Sequence, residues 1–117
     1  MARAEYSGPP EKLELYEKLV STVPGVDRKG AANPYTSRNG WMQSFLDKEG
    51  SVSIRLGKDD LETFLEKYDT ERSVQYGAVM KEFAVVPHDL LGTDELNAWF
   101  ARSWEWVGTL DPKPTKK

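Results

Sequence analysis

A chain of 117 residues, 38% of them hydrophobic and 30% charged, is long enough for one buried core and too short for two. Its formal net charge of −3 counts against a general nucleic-acid binder, which needs a basic excess to neutralise phosphates, but it leaves room for a local basic patch. With no cysteine in the chain, disulfides, thiolate metal sites and a cysteine nucleophile are excluded together.

Residues 1–10 are small and polar and are broken by Gly8-Pro9-Pro10, which predicts a frayed lead-in. Pro10 suits the first turn of a helix, where its missing N–H is no loss. From Glu11 the apolar Leu13, Tyr16, Leu19 and Val20 recur at helical spacing, and Pro24-Gly25 stops the run. Residues 26–38 are the least regular part. Arg28-Lys29 is followed by small residues and Pro34, a pattern that fits either a loop or a distorted edge strand.

The organising stretch is residues 39–56. Asn39-Gly40 is the favoured pair for a two-residue primed turn, so a strand through Tyr35-Thr36-Ser37-Arg38 should turn back into one that starts at Trp41. Asp47-Lys48-Glu49-Gly50 makes the next turn. Val52, Ile54 and Leu56 then alternate with Ser51, Ser53 and Arg55, the period of a strand with one dry and one wet face. Gly57 breaks the meander. Asp59 or Asp60 is expected to cap a second helix, whose stripe is Leu61, Phe64, Leu65 and Tyr68. Its opposite face is acidic and reads as a solvated surface.

Ser73-Val74-Gln75-Tyr76 is a candidate short strand ending at Gly77. Residues 81–86 are another, with Phe83 and Val85 on one face and Pro87 as the stop. Thr93 caps a last helix with Leu96, Trp99, Phe100, Ser103 and Val107 inward, Trp104 beside them and Gly108 at its end. Residues 109–117 form a Pro- and Lys-rich tail. Consecutive strands on short loops imply an antiparallel sheet that the helices cover on one face, so the fold class is a two-layer α+β domain over residues 11–108.

Chemistry is harder to find. His88 is the only histidine, next to Asp89 at a strand-to-loop corner, and no nucleophile motif accompanies it. A polar corner residue is the simpler reading, with a small-ligand site near His88 as the lesser one. The adjacent carboxylates Asp59-Asp60 and Asp94-Glu95 fall at helix starts, where acids belong for dipole reasons. No glycine fingerprint cradles a phosphate. No catalytic residue, metal site or cofactor is therefore expected.

Two groups remain as candidate partner-binding residues. Arg28, Lys29, Tyr35, Arg38 and Trp41 interleave cations with aromatics, which suits base stacking or anion binding, although an exposed strand edge protected by charge is the preferred reading. Trp104 and Trp106 lie about 200° apart on a helical wheel, so both cannot face the core centrally. One of them is expected to be partly exposed and available to a protein.

The order of these motifs resembles the TfoX/Sxy N-terminal domain family. The resemblance is carried by Arg28-Lys29 after the first helix, Asn39-Gly40-Trp41-Met42, the strand ending in Ile54-Arg55-Leu56, the helix with Phe64, and Phe83 to Pro87 leading into a helix around Trp99. It covers roughly residues 11–108. Two features depart from the family: Gly30-Ala31-Ala32-Asn33-Pro34 stands where a Met-Phe-Gly-Gly run often follows the basic pair, and the chain lacks the C-terminal half of full-length competence regulators. The resemblance implies an α+β fold of the secretion-chaperone kind and no catalytic residues.

The chain has no apolar run near the roughly 18 residues of a spanning helix and no signal-peptide core, so a soluble cytoplasmic protein is expected. The expected function is a non-enzymatic regulatory or protein-interaction module. Its contacts would be Trp104, Trp106 or the sheet edge at residues 28–38, through which it could also form a homodimer. Nucleic-acid binding through the basic and aromatic group is the alternative, and no membrane partner is expected.

Overall fold

The computed structural model describes residues 6–30, 32–75 and 77–111. In chain order it comprises α1 (Pro10–Ser21), β1 (Tyr35–Arg38), β2 (Trp41–Leu46), β3 (Val52–Arg55), α2 (Lys58–Lys67), β4 (Arg72–Gln75), β5 (Ala78–Val85), a 3-10 turn (His88–Leu90) and α3 (Asp94–Gly108). The strands form one antiparallel sheet in the order β1-β2-β3-β5-β4. This is the α+β architecture expected, with the helices packed on one face.

Local chemistry explains most of the element boundaries. Pro10 opens α1 at its first turn, and Thr93 caps α3 by accepting a hydrogen bond from the Leu96 amide at 3.2 Å. Asn39 and Gly40 both take positive φ, 56° and 82°, as a primed turn between Arg38 and Trp41 demands. The cap of α2 is a correction. Gly57 occupies that position and no side chain caps it, while Asp59 and Asp60 sit inside the first turn facing the helix dipole. The lead-in also differs from expectation. Tyr6 packs against the core and its hydroxyl donates to the Asp47 carbonyl, so the segment is anchored from residue 6 onward. The tail segment 112–117 and the strand end at Tyr76 lie outside the described residues.

The core lies between helices and sheet. Tyr16, Leu19 and Val20 from α1, Leu61 and Phe64 from α2, and Leu96 and Phe100 from α3 close over Leu46, Val52, Ile54, Leu56, Ala84 and Val86. Each fully buried side chain of this size contributes about 1.5–3 kcal/mol relative to an exposed one. The predicted dry face of β3 is therefore correct.

The predicted wet face is wrong at its centre. Phe45 on β2 and Phe83 on β5, strands that flank β3, bring their rings to 5.4 Å, and Phe45, Ser53 and Phe83 are all buried. Ser53 is paired directly with Phe45, so its small side chain lets the two rings meet above β3. The Ser53 hydroxyl also bonds that of Ser73 on β4, two strands away. Side chains that short can touch across an intervening strand only where the sheet curls, so the face away from the helices is concave.

A second feature unseen in the sequence is a bulge between β1 and β2. Thr36 pairs with Ser44 and Ser37 with Met42, which leaves Gln43 as the extra residue. Gln43 is fully buried. Its Oε1 accepts from the Thr36 hydroxyl at 2.5 Å and its Nε2 donates to Ser103 Oγ of α3 at 2.9 Å. Thr36 Oγ1 also lies 2.6 Å from Ser44 Oγ, which lies 2.7 Å from the Tyr16 hydroxyl, and Ser103 Oγ donates to the Arg55 carbonyl at 2.6 Å. One buried chain of hydrogen bonds thus ties α1, β1, β2, α3 and β3 together.

Two predictions follow from this chain. Gln43→Leu keeps most of the volume but strands the Thr36 hydroxyl, and urea unfolding should show a loss of about 2 kcal/mol. Adding Thr36→Val should recover little of that loss, because the Ser44 hydroxyl that donates to Thr36 then lacks its acceptor. Burial also pushes the Tyr16 phenol up to about 12, so the folded state holds a proton that the unfolded chain releases near 10. Stability from this group is complete below pH 10 and falls by roughly 1.4 kcal/mol per pH unit between about 10 and 12. Tyr16→Phe should flatten that part of the alkaline unfolding profile relative to wild type.

Candidate interaction surface

The basic and aromatic group does not assemble into one platform, because its members are drawn to different neighbours. Arg28 points to α1, where its Nη2 and Nε reach Glu17 Oε2 at 2.6 and 3.1 Å, and its Nη1 donates to the Gly30 carbonyl. Lys29 lies along the outside of β1. Its backbone exchanges both hydrogen bonds with Tyr35, at 2.7 and 2.9 Å, and its Nζ donates to Ser37 Oγ at 2.9 Å. Lys29 and Tyr35 are therefore neighbours, as an edge strand beside a basic segment predicts.

Arg38 belongs to the other end of β1 and to α3. Its guanidinium carbon lies 4.9 Å from the centre of the Trp104 ring and its Nη1 donates to the Trp104 carbonyl at 2.9 Å. A cation here also meets the favourable C-terminal end of the helix dipole. The structure thus joins Arg38 and Trp104, members of the two separate candidate groups. Trp41 donates from Nε1 to the Asp111 carbonyl at 2.8 Å, just beyond α3.

Sequence reasoning missed Arg55. Its guanidinium carbon lies 5.2 Å from the Trp41 ring centre and 5.1 Å from that of Phe83, while Nε donates to Glu82 at 2.8 Å and Nη1 to the Met42 carbonyl at 3.0 Å. Its place in an alternating strand marked it as solvated. Only the pairing of β3 with β5, separated in sequence by α2 and β4, shows that aromatic rings flank it.

Trp104 and Trp106 are both half-buried. Trp104 is covered by Arg38, and Trp106 lies across Gly57 at the start of α2, where a β-carbon would fall 2.8 Å from its Nε1. The 200° separation is accommodated by giving each indole its own flank of α3. Trp99, placed in the inner stripe from the sequence, is half-buried too, edge-on to Phe64 with ring centres 5.3 Å apart. Its Nε1 donates to the Tyr68 hydroxyl at 2.8 Å, and Tyr68 in turn donates to Glu95, which pairs with Lys67 at 3.3 Å. The Tyr68 bond, then Lys67, hold the Glu95 carboxyl below its usual range, and the Glu95 bond raises Lys67. This seam fixes α2 against α3.

His88 is exposed in the 3-10 turn. Among the described residues no group of three or more histidine, aspartate or glutamate side chains is placed to hold a metal ion, and no helix is long and apolar enough to cross a membrane.

The concave sheet face carries a trough of about 710 Å³. Tyr35, Met42, Phe45 and Leu46 line it from β1 and β2, and Gln75 and Met80 from the β4–β5 hairpin, with Asp47 and Lys48 at the rim. Elements from opposite ends of the sheet border one hollow because of the curl over Ser53 and Ser73. Two methionines give its walls adaptable apolar surface. Of the candidate partner-binding residues read from the sequence, Tyr35 alone lines it.

Gly57→Ala should force the Trp106 indole off the start of α2, since the ring is rigid and already in contact. The expected outcome is a loss of about 1–2 kcal/mol in denaturant unfolding, with a red shift of tryptophan fluorescence in the folded state.

Comparison of the chain with protein-family models, with curated proteins and with solved structures finds no match.

Proposed function

We propose that this protein is a non-enzymatic interaction module, of the regulatory kind its resemblance to TfoX N-terminal domains suggests, which takes a segment of a partner protein on the concave face of its sheet. The observation that carries this reading is the trough itself. Its volume lies within the range of about 300–1,000 Å³ that suits specific ligand sites, and its lining is apolar within a polar rim at Asn33, Asp47, Lys48 and Gln75. A short partner segment suits it because apolar side chains can fill the hollow while its polar rim meets the segment's backbone.

Nucleic-acid binding through Arg28, Lys29, Tyr35, Arg38 and Trp41 is less well supported. The two arginines are engaged with Glu17 and Trp104 within the chain, and the net charge is −3. An aromatic contact through Trp104 or Trp106 would first have to displace Arg38 or open the packing over Gly57.

Capture from a host lysate separates these readings when done with nuclease and with two variants. Wild type should retain one protein in near-stoichiometric amount after nuclease treatment. Met80→Asp, which places a charge in the trough, should reduce that recovery at least about tenfold with an unchanged fold by circular dichroism. Arg28→Ala with Lys29→Ala should leave it intact. Recovery that is lost with nuclease and with the double alanine variant, but not with Met80→Asp, would overturn the proposal in favour of nucleic acid.

A further inference from the structure

The two edges of the sheet are treated differently. At β1 the backbone of Lys29 doubles back and bridges to Tyr35, so part of that edge is already paired. At β4 the ladder to β5 is the last in the sheet order. The four residues of β4, Arg72-Ser73-Val74-Gln75, include no proline or lysine; the strand is short, carries one charge at Arg72, and its ladder to β5 is irregular between Arg72 and Val74. The β4–β5 hairpin also carries the two large apolar side chains most exposed among the described residues, Val74 at 56% and Val79 at 57%. These are not scattered. Val74 and Val79 are direct cross-strand partners, so they share one face and form one patch beside the open edge.

We infer that β4 pairs with β4 of a second copy of this chain, antiparallel about a two-fold axis at Val74. A two-fold axis normal to the sheet keeps each face on the same side, so opposed residues must share a face and the register can slip only in steps that preserve this. Centring on Arg72 would set guanidinium against guanidinium, centring on Ser73 would set Arg72 against Val74, and centring on Gln75 would move each Val74 away from its copy and break the valine row. Centring on Val74 sets Val74 against Val74 and Ser73 against Gln75, with Arg72 held away from its copy. It also lines up Val79, Val74, Val74 and Val79 across four strands. The patch thus meets its copy with neutral valines and without a like-charge contact. A different protein would have to bring its own neutral β-branched strand.

The interface is small. One four-residue strand with its valines is well below the roughly 1,200 Å² of stable complexes, so the dimer is weak and concentration-dependent. It leaves the trough face unobstructed in the pairing scheme, and it holds or fails independently of partner binding there.

The test uses the whole chain. In sedimentation equilibrium the weight-average mass should rise from 13.3 kDa toward twice that value as loading increases from about 10 µM to about 1 mM. Val74→Lys should stay monomeric over the same range with an unchanged unfolding midpoint. Because the chain has no cysteine, V74C gives a second readout: it should oxidise to a disulfide-linked dimer at least about tenfold faster than S37C, placed on β1. Wild type that stays monomeric throughout, V74K that associates as wild type does, or S37C that crosslinks as fast as V74C would each overturn the proposal.

Discussion

A buried side-chain amide must find donors and acceptors inside the protein, and at Gln43 the bulge between β1 and β2 makes β1 and α3 supply them. The direction of each bond in the chain through Gln43 can be worked out from proton counts alone. Thr36 has one hydroxyl proton and gives it to Gln43 Oε1, so the proton between Thr36 and Ser44 must come from Ser44. The proton between Ser44 and Tyr16 must then come from the phenol. On the other side Ser103 gives its proton to the Arg55 carbonyl and accepts from Gln43 Nε2. Each hydroxyl donates once, and turning the amide over would set its oxygen against Ser103 Oγ, whose single proton already goes to the Arg55 carbonyl. Among the described residues no buried side-chain nitrogen or oxygen lacks a partner. The network fixes the register of β1, because only the bulged register brings Gln43 and Ser44 together under Thr36.

The same network explains why the two faces of the sheet differ in shape. On the helix side, hydroxyls and an amide fill the space between α1, α3 and the first strands, and the apolar core fills the rest. Helices cannot also cover the other face, so it must protect itself. It does so by curling: Ser53 and Ser73 meet across β5, the Phe45 and Phe83 rings close over β3, and Arg55 lays its guanidinium between Phe83 and Trp41. The trough is what remains where the curl brings the β4–β5 hairpin opposite β1 and β2. Concavity here is therefore a consequence of small serines at two positions, where larger side chains would hold the sheet open.

How much of this was legible in the sequence follows from the range of the interactions. The Asn39-Gly40 turn, the Thr93 cap, the α1 stripe and the inward alternation of Val52, Ile54 and Leu56 are local signals, and they placed the elements and the fold class correctly. The readings of Ser53 and Arg55 failed, and Gln43 drew no reading, for one shared reason. Each looks solvent-facing beside its sequence neighbours, and each is buried or stacked by a residue brought in from elsewhere: Phe83 for Arg55, Ser73 for Ser53, Ser103 for Gln43. The candidate site was less legible than the fold. Arg28, Arg38 and Trp41 cluster in sequence, but the chain directs them to α1, α3 and the residue after α3. Tyr35 alone reached the trough, whose other wall comes from Met80 and Gln75 on a hairpin that the sequence only outlined.

The charged residues of β1 and the valines of β4 also show how the two edges differ in purpose. On and beside β1 the cations are occupied at home, Arg28 by Glu17, Lys29 by Ser37 and Arg38 by Trp104, and the Lys29 backbone takes up part of the ladder. Such an edge resists pairing because a newcomer must first break these bonds. At β4 the only cation, Arg72, is drawn back to the Lys81 carbonyl at 3.1 Å, and an exposed valine pair stands beside it. Exposed β-branched side chains on a terminal strand raise the chance of unwanted association, a cost that sequences usually avoid by charge or proline. The β1 edge is thus partly covered, whereas the β4 edge is not covered by a further strand. That asymmetry makes the open edge a feature of the fold to be explained by contact, and the apolar trough on the adjoining face is consistent with a hairpin that serves recognition on both of its sides.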